Sequence, residues 1–144
     1  MKKTAPALSK KDFETLARFR HQIRRYLRFS EDITRKNGVT PLQYLLLLHV
    51  KGFPGRDWAT VGELAERLQA KHHGVVSLIS RCEQVGLVER LANREDRRQV
   101  EVHLLPRGEQ CLERLARLHR AELLSLQGEF AVPDMKAFSY EDLS

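Results

Sequence analysis

GLVERLANREDRRQVEVHLL, residues 86–105, is the stretch from which the fold can be worked out. Val100, Val102 and Leu104 alternate with Glu101 and His103, the period-two pattern of a strand with one buried face. Leu87, Val88 and Leu91 supply the apolar residues of a second strand. Between them, Ala92-Asn93-Arg94-Glu95-Asp96-Arg97-Arg98 is too polar to bury and rich in residues that tolerate turns. The stretch is predicted to form a two-stranded ribbon whose arginine-loaded tip stands in water or against a polyanion.

Two helical patterns lead into the ribbon. Thr60-Val61-Gly62-Glu63 has the form of a capping box, so a short helix is expected to start near Thr60, bury Leu64, Ala65 and Leu68, and end near Gln69. In the next pattern Val75, Leu78, Ile79 and Cys82 recur at i, i+3, i+4 and i+7 and define a buried face. The opposite face carries His73, Ser77, Ser80 and Gln84, flanked by Val76 and Arg81, with Lys71 and His72 at its start and Gly86 as a stop. Helix, short turn, helix and basic ribbon in this order make a winged helix-turn-helix, a fold suited to double-stranded DNA. The expected contacts are Lys71, His72, His73, Ser77 and Arg81 on the helix and Arg94, Arg97 and Arg98 on the ribbon.

The run from Val39 to Leu118 resembles the MarR family of bacterial winged-helix transcription regulators, through Thr40-Pro41, GELAERL, SLISRCEQVGLVER and EDRRQVEVHLLPRGE. The resemblance implies a homodimeric regulator, chiefly a repressor, on a pseudo-palindromic operator. It further implies that Asp96 orients Arg98 for the minor groove, that Arg97 and Arg94 contact phosphates or the groove wall, and that a small aromatic effector loosens the grip. The family usually opens its reading helix with serine and threonine. Lys71, His72, His73, Gly74 and Val76 stand here instead, so no base preference carries over. Leu105 before Pro106 is also a poorer cap than the family's threonine, by about 1 kcal/mol.

The flanks look like dimerisation helices. Ser9 can cap a helix with Asp12 in its first turn, and Phe13, Leu16, Ile23 and Leu27 mark one stripe, widened by Phe19 and Tyr26. Arg18, Arg24, Arg25, Arg28 and Arg35 occupy much of the remainder until Asn37 and Gly38 end the pattern. Thr40, Pro41 and Gln43 then open a helix through Tyr44, Leu45, Leu47 and Leu48. After the ribbon, Pro106 begins a long helical pattern in which Leu112, Leu115, Ala116, Leu118, Leu123, Leu124, Leu126 and Phe130 cover more than one stripe. One side is expected to meet the first helix and the other a second chain, giving a homodimer through Phe13, Leu16, Ile23, Leu115, Leu118, Leu123 and Leu126. Val132-Pro133-Asp134 breaks the helix, and the tail with Met135, Phe138, Tyr140 and Leu143 either docks on the partner chain or frays.

The expected architecture is a single domain over residues 1–144, mainly α with a small β-hairpin. Its winged helix-turn-helix core spans about 39–105, flanked by dimerisation helices at about 8–36 and 106–144. The net charge of +6 is uneven: residues 1–36 carry eleven Lys or Arg against four acids, and residues 121–144 one against five. No apolar run approaches the ~20 residues of a membrane span, and Met1 to Lys11 lacks the centre of a secretory signal, so a cytoplasmic protein without membrane contact is expected. Cys82 and Cys111 read as small core residues. His72 and His73 diverge by about 100° on a helix, and His21, His49, His103 and His119 are scattered, so no metal is expected. No cofactor and no catalytic set of nucleophile and base present themselves. Trp58, in the loop from Gly52, can line a pocket or cap the core, and the core is the favoured reading. The rival reading is a winged helix that serves only as a protein-interaction module for acidic partners, which would ignore duplex DNA even at low salt.

Overall fold

The computed structural model describes residues 7–139, and the chain divides into two compact units, Glu31–Arg120 and the pair Met1–Ser30 with Ala121–Ser144. The elements run α1 (Lys10–Lys36), α2 (Pro41–Lys51), β1 (Trp58–Thr60), α3 (Val61–Leu68), α4 (His72–Gln84), β2 (Val88–Ala92), β3 (Val100–Leu104) and α5 (Pro106–Ser125). A single 3-10 turn follows at Met135–Ala137. This is the expected mainly helical winged helix, with one addition. The sheet has three antiparallel strands in the order β1-β3-β2, with Ala59 opposite Val102 and Arg90 opposite Val102 on the other side. A strand of three residues, running straight into a helix cap, is too short to show a period of its own.

Local chemistry sets the helix ends in the larger unit. Thr40 and Gln43 form one reciprocal capping box and Thr60 and Glu63 another. Gln69 ends α3 in the left-handed region at φ 51°, and Gly86, at φ 76°, lets the chain leave α4 while the Leu87 amide donates to the Cys82 carbonyl at 2.9 Å. Leu46, Leu47 and Val50 from α2, Leu64 from α3, Val75, Ile79 and Cys82 from α4, and Val88 and Val102 from the sheet close the core. Each such aliphatic side chain contributes about 1.5–3 kcal/mol by leaving water. Burial pushes the Cys82 thiol up to about 11. Both it and Cys111 are buried and free, so they behave as small apolar residues, as their sequence context suggests.

Four details depart from expectation. Leu91 is exposed, because alternation from the buried Val88 puts it on the outer face of the ribbon. Trp58 does not cap the core: it lies half-buried on β1, opposite His103. Leu115, expected at a dimer interface, is fully buried in the core of the larger unit and has no surface to offer a partner. The long helix stops at Ser125, where the Ser125 hydroxyl donates to the Glu122 carbonyl at 2.7 Å, and a turn through Gly128 at φ 89° follows. Leu126 and Phe130 therefore lie past the helix end.

In the smaller unit the tail returns to the start of its own α1. Ser9 and Asp12 cap each other, the Ser9 amide donating to Asp12 Oδ2 at 2.9 Å and the Asp12 amide to Ser9 Oγ at 3.3 Å. The Ser139 amide then donates to Asp12 Oδ1 at 2.8 Å and its hydroxyl to Oδ2 at 2.7 Å, while the Thr15 hydroxyl donates to the Ala137 carbonyl at 2.7 Å. Phe130 packs against Phe19 and Tyr26 at ring separations of 6.5 and 5.9 Å. Tyr140 and Leu143 lie outside the described residues. The backbone bond from Ser139, followed by that from Ser9, holds the Asp12 carboxyl down to about 2. Because its folded value lies below the ordinary 3.8, the tail contact is fully present above about pH 4 and is lost as pH falls through about 2. The Ser139 amide resonance is accordingly expected to titrate with a midpoint near 2; a resonance that does not move with pH in that range would mean that the tail does not touch Asp12.

Candidate nucleic-acid interface

The reading helix is presented by its own buried face. With Val75, Leu78, Ile79 and Cys82 held in the core, Lys71, His72, His73, Gly74, Ser77 and Arg81 are left exposed on one side of α4. Lys71 occupies the cap position but makes no side-chain cap hydrogen bond. The amides of the first turn thus have no side-chain acceptor and add their partial positive charge to that of Lys71, an arrangement that suits a phosphate. Ser80, on the same polar side, is only partly exposed and its hydroxyl is taken by Arg90 at 2.6 Å.

The ribbon tip is built around Asn93 and Asp96. Asn93 Oδ1 accepts from the amides of Glu95 and Asp96, both at 2.9 Å, and the strands close above it through Asn93 N to the Gln99 carbonyl at 3.1 Å. Asp96 grips Arg98 three times: from the backbone amide at 3.0 Å, from Nε at 3.1 Å and from Nη2 at 3.3 Å. These bonds hold the Asp96 carboxyl below its usual range, the side-chain bond from Arg98 leading. The Arg98 side chain is nevertheless 92% exposed. A guanidinium so aimed and so open retains most of its hydrogen-bonding capacity for something outside the chain. Arg94 and Arg97 flank it and are exposed as well.

A succession of side chains ties this tip to the helix-turn-helix. Asn93 Nδ2 donates to Glu101 Oε2 at 2.6 Å, Glu101 Oε1 meets His103 Nε2 at 2.9 Å, and His103 stacks on Trp58 with centroids 5.9 Å apart. The Arg56 guanidinium lies 3.9 Å from the Trp58 centroid and 4.3 Å from that of Phe53, and pairs with Glu63 in the cap of α3. Among the described residues no group of His, Cys, Asp and Glu is placed to hold a metal, and no helix is long and apolar enough to cross a membrane.

Phe13, Leu16, Leu118 and Leu123 are exposed at 41–56%, and Ile23 and Leu126 are half-buried. Leu115 is withdrawn, as noted above.

A sequence profile described as MarR family matches residues 37–99, the segment that carries α2, β1, α3, α4, β2 and the ribbon tip and makes up less than half of the chain. Over that segment the chain is similar to the MarR family. Relatives that it matches are transcriptional regulators. A Thauera aromatica protein assigned to transcriptional regulation of the hcr operon is 31% identical to this chain over 96 residues, covering 67% of this chain and 56% of that protein. The chain thus spans little more than half the length of that curated relative. Its fold is that of AbsC from Streptomyces coelicolor, with a TM-score of 0.76 at 20% identity over 90% of this chain and 86% of that one. It is also that of an S. aureus MepR variant bound to an oligodeoxyribonucleotide, with a TM-score of 0.63 at 18% identity over 78% and 81%.

Two features of this chain escape a reading of the sequence. Arg90 alternates with exposed residues on β2 and passes for another solvated charge, although it faces α4. Gly108 looks like an ordinary helical glycine, although a Cβ there would lie 2.1 Å from the Leu87 carbonyl oxygen. A glycine in the first turn of a helix, after a ribbon that must return to the core, is the one available hint of that approach.

Proposed function

We propose that the protein is a homodimeric, sequence-specific regulator of transcription that binds double-stranded DNA in the cytoplasm, with α4 in the major groove and the ribbon tip in the adjacent minor groove. The observation that carries this reading is Arg98, clamped by Asp96 yet open to its surroundings. A narrow minor groove concentrates negative potential and favours a guanidinium held in that way. Lys71, His72 and Arg97, with Arg94, take phosphates, while His73 and Ser77, beside Arg81, read bases. A MepR variant of the same fold, captured on an oligodeoxyribonucleotide, supports the assignment.

Two copies are needed because one helix reads too few bases. Paired through Phe13, Leu16, Ile23, Leu118, Leu123 and Leu126, they would set two α4 helices about 34 Å apart on a pseudo-palindromic site, in the manner of a repressor. A small aromatic effector would release the site by changing that spacing. Titrating a labelled random duplex across a range of salt tests the first step: binding that is measurable in dilute buffer and weakens steeply with salt is expected. No binding at low salt would favour the protein-interaction module instead. Light scattering checks the second step, since a particle of 16.7 kDa, the mass of one chain, would exclude the dimer.

A further inference from the structure

We propose that Arg90 is a positioning residue that locks the wing to the reading helix, so that its loss misaligns the two parts of the DNA-binding surface without removing any contact to DNA. Alternation along β2 puts Arg90 on the face of the buried Val88, turned toward α4 and away from the exposed Glu89 and Leu91. There its guanidinium spans three acceptors. Nη2 donates to the Val76 carbonyl at 3.0 Å and to Ser80 Oγ at 2.6 Å, and Nη1 lies 3.1 Å from Glu83 Oε1. Residues 76, 80 and 83 follow one another along a single side of α4, so one rigid fork engages successive turns of the helix. A planar donor held at three points fixes rotation as well as distance, which a lysine ammonium cannot do. The Arg90 and Glu83 side chains are only 32% and 33% exposed, so packing shields their bond from much of the competing water.

The consequence concerns register. Arg98 belongs to the minor groove and His73 and Ser77 to the major groove, and both can be satisfied only if the ribbon and α4 keep one relative orientation. Arg90 supplies the direct polar link between them. Ser80 and Glu83 are committed to this link, which leaves base reading to their exposed neighbours.

The inference rests on the DNA-binding reading, and the experiment separates the two. A duplex selected by the wild-type protein from a random pool, and an unselected duplex of equal length, are titrated with wild type, Arg90→Lys, Arg90→Met and Glu83→Gln over a range of salt. Arg90→Lys and Arg90→Met are both expected to weaken binding of the selected duplex by about ten- to a hundredfold, with the slope of log affinity against log salt unchanged, since no phosphate is released. Glu83→Gln, which keeps Arg90 and its other two bonds, is expected to show a smaller loss at the same slope. Near-normal binding by Arg90→Lys with a slope flattened by about 0.9 in Arg90→Met would make Arg90 a phosphate contact and overturn the proposal. Equal affinity of all four proteins would overturn it too. Failure of the wild-type protein to bind either duplex would overturn the DNA-binding reading and this proposal with it.

Discussion

Replacing Arg97 and Arg98 together with alanine is expected to weaken duplex binding by at least about 100-fold at physiological salt and to flatten the salt dependence by about 0.9 for every arginine withdrawn from a phosphate. The folded state should hardly change. Both side chains are exposed, and the bond from Arg98 to Asp96 is a surface ion pair, worth at most about 1 kcal/mol. A melting temperature within about 2 °C of the parent, beside a large loss of binding, would place the effect at the interface. Asp96→Asn is the informative companion, because it makes the tip more positive while dissolving the clamp. If general attraction were all that mattered, Asp96→Asn would bind more tightly. If the aim of Arg98 matters, it binds about tenfold more weakly. Retention of full affinity by the double alanine variant would remove the tip from the account.

The largest expected effect on stability comes from a methyl group. In Gly108→Ala the new Cβ would sit 2.1 Å from the Leu87 carbonyl oxygen and 3.0 Å from its carbonyl carbon. The obstacle is backbone, and the same oxygen accepts from the Leu105 amide at 2.9 Å, so neither strand exit nor helix start can yield without breaking a bond. A loss of about 3 kcal/mol is expected, lowering the melting temperature by roughly 10 °C. Gly62→Ala in α3 is the control, since its Cβ would meet nothing within 4 Å. There the greater helix propensity of alanine should leave stability unchanged or raised by up to about 1 kcal/mol. Similar melting curves for Gly108→Ala and Gly62→Ala would disprove the close approach.

Local features were legible in advance, and features that depend on a distant partner were not. Thr40 with Gln43 and Thr60 with Glu63 announce helix starts because both halves of each capping box lie within four residues. Val75, Leu78, Ile79 and Cys82 announce a buried face because α4 contains its own period. By contrast, β1 exists only through its pairing with Val102 and its neighbours, far along the chain. Leu115 and Leu118 share one apolar pattern, and nothing in that pattern tells the residue sealed in the core from the one left at the surface. Of the interface residues, Asp96 and Arg98 were readable through the family resemblance, whose motif puts them two positions apart, the spacing at which they meet. The grip of Arg90 on α4 was not, because its three acceptors lie in another element.

Trp58 is the sole indole of the chain, held between the guanidinium of Arg56 and the imidazole of His103. Since His103 leads on through Glu101 to Asn93 at the ribbon tip, the protein carries a native fluorophore wired to its own wing. Emission from that one ring should report engagement of the tip in real time, without a dye and without altering a single residue.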